Sequence, residues 1–206
     1  MVDLMIRDWE RPRINESSNH PINKSTNQPE GVEAMNMEED FNFRNTRCGM
    51  SKEDVLASEM GEPVVQTDTQ IGYFTQIVDK NIYVAFVFNN EHLISALYAL
   101  RDIRENLDDS FKDFEDFKQI LTMKYGELNA GQGDVWADPS CGDEDTLKTL
   151  LSDPSKYEEA LKQGEILHAA MWKTENTWIK VALSKMMEGH TCGVTVEYQS
   201  IRHLTN

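Results

Sequence analysis

Long apolar runs are missing from this sequence of 206 residues. A helix that spans a membrane needs about 18 apolar residues in a row, and no segment approaches that length. Residues 1–8 carry acidic side chains where a secretory signal peptide needs a basic start and then an apolar stretch. The sequence therefore predicts a soluble protein without a transmembrane segment, cytoplasmic as written. The cell envelope or secretion is the alternative if the natural N-terminus is missing.

Basic residues are scarce. The chain has 20 lysines and arginines against 36 aspartates and glutamates, which gives a formal net charge of −16. Such a chain repels phosphate backbones unless it carries a strong local basic patch, and the sequence shows none. We therefore predict that nucleic acid is not a partner. Anionic lipid surfaces are disfavoured for the same reason.

Cysteine is also rare. Cys48, Cys141 and Cys192 show no C-x-x-C spacing, and three thiols cannot all pair within one chain. Reduced thiols are the rule inside cells, so we predict that all three are free. A Cys48–Cys192 disulfide stays open as an alternative, because both residues lie at the edges of predicted elements.

Motifs for catalysis are lacking. The sequence has no G-x-S-x-G element, and no known cysteine-protease signature surrounds its cysteines. Gly131-Gln132-Gly133 lacks the preceding strand, the third glycine and the Lys-Ser/Thr pair of phosphate-binding loops. We therefore predict that the protein is not an enzyme.

Metal-binding patterns are incomplete. His190-Thr191-Cys192 is the one close ligand pair, with His168 and Cys141 as further possible ligands, whereas zinc sites need three or four. The acidic segment 138–145 has Pro139 and Cys141 where a calcium-binding loop needs ligands. We predict no metal and no cofactor.

Regular apolar spacing is absent from the first 40 residues, which are rich in Asn, Ser, Pro and Glu. Pro12, Pro21 and Pro29 interrupt any helical or strand period. A segment that cannot bury an apolar face is predicted to be disordered. We therefore divide the chain into a disordered tail, residues 1–40, and an α+β domain, residues 41–206.

The first half of the domain begins with a short helix. Ser51 and Asp54 form a capping pattern at its start, and Gly61 is predicted to end it. The residues of this helix predicted to face the core are Val55, Leu56 and Met60. Short connections join the next three apolar segments, which predicts an antiparallel meander. These strands are 73–78, 81–88 and 93–100.

The second half follows the same plan. Ser110 and Asp113 are predicted to cap a helix over about 111–125, and Gly126 to end it. An acidic, loop-like insertion and a short helix over 155–163 come next. Alternating apolar residues then predict three strands. They are 167–172, 178–185 and 192–201.

The two pseudo-repeats, about 43–105 and 110–201, predict the fold class. We expect an α+β domain with an antiparallel sheet of about six strands and helices packed on one face. Identity between the halves is low, so the repeat is one of architecture.

Two sets of residues carry a family resemblance. The run Cys48 to Val55, followed by Gly61-Glu62-Pro63, resembles the G-M-[ST]-x-x-[DE]-V…G-x-P helix entry of BamE-like proteins. These include small outer-membrane lipoproteins and, in tandem form, β-lactamase inhibitor proteins. The second half looks like a group of bacterial proteins of unknown function that share this motif. The matching residues there include 124–127, Trp136, 172–174, Thr177 and 198–200. The resemblance implies this fold and the binding of other proteins, and it implies no catalytic residues.

Aromatic residues supply the predicted site. If Tyr83, Trp172, Trp178 and Tyr198 lie on the exposed face of the sheet, they form a patch suited to protein recognition. For the tryptophans, buried packing in the core is the role that we favour, because aromatic residues most often serve as buried packing. We predict a protein-binding or assembly module whose partner is another protein. The alternative is a small-molecule-binding protein or enzyme, with a pocket between sheet and helices that contains an ionisable residue such as His168.

Overall fold

The computed structural model describes residues 42–77, 80–102, 104, 106–186 and 192–201. The tail predicted to be disordered, residues 1–40, lies outside the described residues. Within them the chain is an α+β protein, as predicted. Its first elements are two short paired strands, β1 (Asn42–Phe43) and β2 (Thr46–Arg47). The remaining strands are β3 (Val65–Gln66), β4 (Gln70–Ile77), β5 (Lys80–Asn89), β6 (His92–Leu100), β7 (Gln132–Trp136), β8 (Ile166–Lys173), β9 (Thr177–Lys185) and β10 (Cys192–Ser200).

These eight strands, β3 to β10, form one antiparallel sheet in the described part of the chain. Their order is β3-β4-β5-β6-β10-β9-β8-β7. Each half of the chain contributes four strands that lie together, and the last strands of the two halves, β6 and β10, pair at the centre. In that pairing Val196 lies opposite Tyr98.

The expected number of six strands was wrong. The six predicted strands are present as β4, β5, β6, β8, β9 and β10, and the two additional strands lie at the edges of the sheet. β3 has only two residues, and β7 has the sequence QGDVW, in which glycine and polar residues dominate. Neither segment shows the alternating apolar pattern on which a strand prediction depends.

The helix of the first half, α1, runs from Lys52 to Ser58. The backbone N–H of Asp54 donates to the Ser51 hydroxyl at 3.2 Å, as the capping pattern predicted. Val55 is fully buried and Leu56 packs against the core. Met60 was wrongly predicted to face the core: it is 60% exposed, because the helix ends before reaching it.

The helix of the second half, α2 (Leu107–Tyr125), begins earlier than predicted. Asn106 is its N-cap, accepting from the backbone N–H of Asp109 at 2.8 Å. The predicted cap, Ser110 with Asp113, is wrong, because both residues are buried inside the helix. Gly126 does end the helix, with a φ of 82° that favours glycine.

The acidic insertion is helical where a loop was expected. It contains a short 3₁₀ helix (Pro139–Cys141) and α3 (Glu144–Leu151), which lead into α4 (Pro154–Gln163). Asp138 and Asp143 are N-caps, and hydrogen bonds from Ser140 and Thr146 respectively lower the pKa of each carboxyl. These two carboxylates therefore cap the N-termini of the helices that follow them. The predicted helix over 155–163 is confirmed as α4, and Gly164 ends it in the left-handed conformation.

The core lies between the helices and one face of the sheet. Alternate residues of the strands point into this core. There they pack with Val55 of α1 and with Phe114, Phe117 and Leu121 of α2. Phe43 belongs to this core, and its ring centroid lies 4.4 Å from that of Tyr98 of β6 and 5.4 Å from that of Tyr198 of β10. One aromatic ring thus contacts the joining strands of both halves.

Candidate binding surface on the uncovered face of the sheet

Strand alternation and register define two faces of the sheet. Phe86 of β5 lies opposite Ile71 of β4 and Ala96 of β6, and all three are buried in the core. The residues between them point to the other side, which no helix of the described residues covers; we call this side the open face. Its larger side chains are Phe74, Tyr83, Val87, Leu97, Val135, Leu167, Met171, Lys173, Trp178, Lys180 and Glu197.

An aromatic cluster occupies the first half of the open face. Phe74 and Tyr83 lie opposite each other on β4 and β5, with ring centroids 5.7 Å apart. The Arg101 guanidinium lies 3.8 Å from the Phe74 ring centroid, and Gln70 Nε2 donates to Tyr83 Oη at 3.1 Å. A Cβ at Gly72 would collide with Tyr83 Oη, so glycine allows the ring to lie flat across β4. Phe74 stays 54% exposed, which leaves apolar ring surface for contact with another molecule.

A second cluster lies on the other half of the open face. Lys173 Nζ is 5.1 Å from the ring centroid of Trp178, which is partly exposed. Between the two clusters, Lys180 of β9 forms an ion pair with Glu197 of β10 at 2.7 Å, and Ser95 donates to Glu197 at 3.4 Å. Each half of the sheet thus presents an aromatic ring with a cation beside it.

Small residues fill the remainder of the open face. They are nearly inaccessible, although no described helix covers them. These small residues are Ala85, Ala99, Ala169 and Ala182. Contact with another molecule therefore falls to the larger side chains around them.

The four predicted site residues do not form one surface. Tyr83 and Trp178 lie on the open face, whereas Trp172 and Tyr198 lie in the core at 1% and 2% exposure. Trp172 Nε1 donates to the backbone oxygen of Gly126 at 3.0 Å, so its polar atom is satisfied beneath the helices. The expectation that all four share the exposed face is corrected accordingly.

Sequence reasoning missed Phe74, Arg101 and Lys173. The position of Phe74 could have been predicted from strand alternation. Tyr73 lies on the buried side of β4 with Ile71, so the next residue, Phe74, points to the opposite face. The positions of Arg101 and Lys173 over aromatic rings depend on side-chain conformation and on pairing between strands, which no single segment encodes.

A polar cluster lies on the covered face, around His168. Asp134 Oδ1 is 2.9 Å from His168 Nδ1 and accepts a hydrogen bond from Tyr157 Oη at 2.9 Å. Burial and the hydrogen bond to Asp134 both raise the pKa of Tyr157. The rings of Phe114 and Phe111 pack against the imidazole, with centroids 4.8 and 5.5 Å away. Side chains of the protein itself therefore surround the histidine that was considered for a pocket.

The possible zinc ligands are dispersed. Cys141 is exposed beside the 3₁₀ helix and Cys192 is buried on β10, while His190 lies outside the described residues. Among the described residues, no three His, Cys, Asp or Glu side chains are grouped so that they could hold a metal ion. Cys48 and Cys192 are not joined in the structure, so the disulfide that was left open as an alternative is not formed.

Comparisons of the chain with protein-family models, with curated proteins and with solved structures found no match. None of the helices in the described residues is long and apolar enough to cross a membrane.

Proposed function

We propose that this chain is a non-catalytic protein-binding or assembly module that uses the open face of its sheet. The observation that carries the proposal is the pair of aromatic clusters on that face, in which Phe74 and Trp178 keep accessible ring surface beside a cation. Tryptophan, tyrosine and arginine are enriched among the residues that contribute most to the affinity of protein interfaces, and phenylalanine is enriched in interfaces relative to the rest of the surface.

The resemblance to BamE-like proteins supports the same proposal. It rests on the helix entry from Cys48 to Val55 and on the tandem plan of the two halves. The antiparallel sheet, four adjacent strands from each half with β6 and β10 at the centre, is compatible with such a tandem module.

The alternative, a small-molecule site between sheet and helices, has weaker support. His168 is the ionisable residue that it would use, and this side chain is already bonded to Asp134 and packed against two phenylalanine rings. A ligand would have to displace these contacts.

Affinity capture with matched variants tests the proposal. The full chain serves as bait in a lysate of the source organism, beside a Phe74→Glu/Trp178→Glu variant of the open face. Met123→Glu is the control, because Met123 is 51% exposed on α2, on the opposite side of the sheet. We expect one stoichiometric protein partner with the wild type and the control, and its loss with the open-face variant. A partner that is retained by the open-face variant and lost by Met123→Glu would overturn the proposal.

A further inference from the structure

Charge is distributed unevenly between the two sides of the sheet. The charged strand residues of the open face are Lys173, Lys180 and Glu197; Arg101 adjoins them after β6, and exposed Glu175 lies in the turn after Lys173. Asp102 lies at the margin, where it accepts a hydrogen bond from Asn81. Exposed acids on the helices occupy the opposite side. They include Asp108, Asp109, Glu144, Asp145, Glu158 and Glu159. The open face is therefore poor in acid, although the chain carries a net charge of −16.

Two of the cations that lie over aromatic rings are on the open face and are available for a partner. Arg101 and Lys173 are exposed, and neither lies within salt-bridge distance of a carboxylate among the described residues. Lys180 differs, because Glu197 already neutralises it at 2.7 Å. The ring beneath each free cation offers an apolar contact within reach of the same ligand residue.

The clusters lie far apart on the sheet. Phe74 is on β4 and Lys173 is on β8, so five strand spacings, or about 24 Å, separate them across the sheet. A single small anion cannot reach both clusters. An extended protein segment of about eight residues can.

We propose that the open face binds an acidic protein segment, whose carboxylates pair with Arg101 and Lys173 and whose apolar side chains contact Phe74, Tyr83 and Trp178. This inference rests on the proposed function and specifies the chemistry of the partner. Exposed ion pairs of this kind contribute modestly to affinity and more to specificity and to the rate of association.

Selection from a random-peptide library tests the inference. The full chain is immobilised at low ionic strength, and displayed peptides of about 12 residues are selected, which is long enough to cross the sheet. We expect recovered peptides to be enriched in Asp and Glu over the input library. Their affinity should fall about tenfold for Arg101→Glu/Lys173→Glu, which replaces two attractions by repulsions. It should also fall as salt is added.

The control changes the net charge equally. Lys52→Glu/Lys156→Glu alters two lysines outside the open face, at the start of α1 and at an exposed position of α4, and should leave affinity within about twofold. Neutral or basic peptides that bind the wild type but not Phe74→Glu/Trp178→Glu would overturn the inference and leave the proposed function standing. Recovery of no peptide, or of peptides that bind all variants equally, would overturn both.

Discussion

Asp113 is the residue that ties α2 to the first half of the sheet. Its carboxylate accepts from Lys80 of β5 at 2.7 Å and from Arg104 at 2.6 and 3.1 Å, while only 4% of the residue is exposed. Burial acts to raise the pKa of this carboxyl, but the hydrogen bonds and charges of Arg104 and Lys80 outweigh it, so the pKa is lowered. The carboxylate is therefore held ionised between two cations.

Replacing Asp113 by Asn should destabilise the protein by about 2–3 kcal/mol, because two partly buried cations lose their common counter-charge. Asp116→Asn on the same helix is the matched control. Its pair with Lys112 is exposed, so a loss of less than about 0.5 kcal/mol is expected. Urea unfolding of both variants measures these differences, and equal losses would contradict the structural role of Asp113.

The stabilisation by Asp113 should depend on pH. Its folded pKa lies below the unfolded value of about 3.9, so its contribution is complete above that value and is lost as the pH falls towards the folded pKa. The difference in unfolding free energy between wild type and Asp113→Asn should be constant above about pH 5 and shrink below about pH 4. Urea titrations at a series of pH values measure it, and a difference that grows on acidification would refute this assignment.

Ser110 and Asp113 also show why a capping pattern can predict a helix correctly and still misplace its N-terminus. Ser followed three residues later by Asp is a capping signal, yet Asn106 and Asp109 offer a similar signal one turn earlier. Tertiary contacts decide between the two, since Asp113 is needed inside the helix for Lys80 and Arg104. Nothing local to α2 encodes those partners.

At the scale of elements, the sequence predicted the central strands well and the edges poorly. Strands in the middle of the sheet alternate over eight to ten residues, whereas β3 and β7 are short and polar. The helix α3 was missed because the acids at 143–145 resemble a loop, although Asp143 is its N-cap.

The face of the sheet on which each aromatic side chain lies was harder to predict than the strands themselves. Tyr198 alternates in step with Val194 and Val196, and Trp178 with Lys180, so parity already separated Tyr198 from Trp178. Trp172 could not be assigned in this way, because both faces of β8 carry apolar residues. Only the register with Ile179 of β9 places it in the core.

The β1–β2 hairpin yields a prediction at the same scale. Phe43 is 2% exposed and contacts strands of both halves, so Phe43→Ala should cost about 3–5 kcal/mol through lost burial and a cavity. Phe74→Ala is the control, because that ring is 54% exposed and its loss should cost less than about 1 kcal/mol. Thermal or urea unfolding compares the two. Similar costs would mean that the hairpin does not join the halves as described.

At the scale of the whole molecule, the two sides of the sheet have different characters. One side carries the helices, the core and most of the exposed acid; the other carries aromatic rings, cations and small residues. The function that we propose depends on this difference. The side chains that a partner would contact on the open face take no part in packing the core.

Hydroxyl-radical footprinting of the chain, alone and with its captured partner, tests the proposed use of the open face most directly. We predict that partner binding protects Phe74, Tyr83, Met171 and Trp178 from oxidation, since these side chains lie on the open face. Met123, which is exposed on α2 on the covered side of the sheet, should be oxidised at an unchanged rate. Protection of Met123 with unchanged oxidation of Phe74 and Trp178 would contradict the account and place the binding surface on the helices.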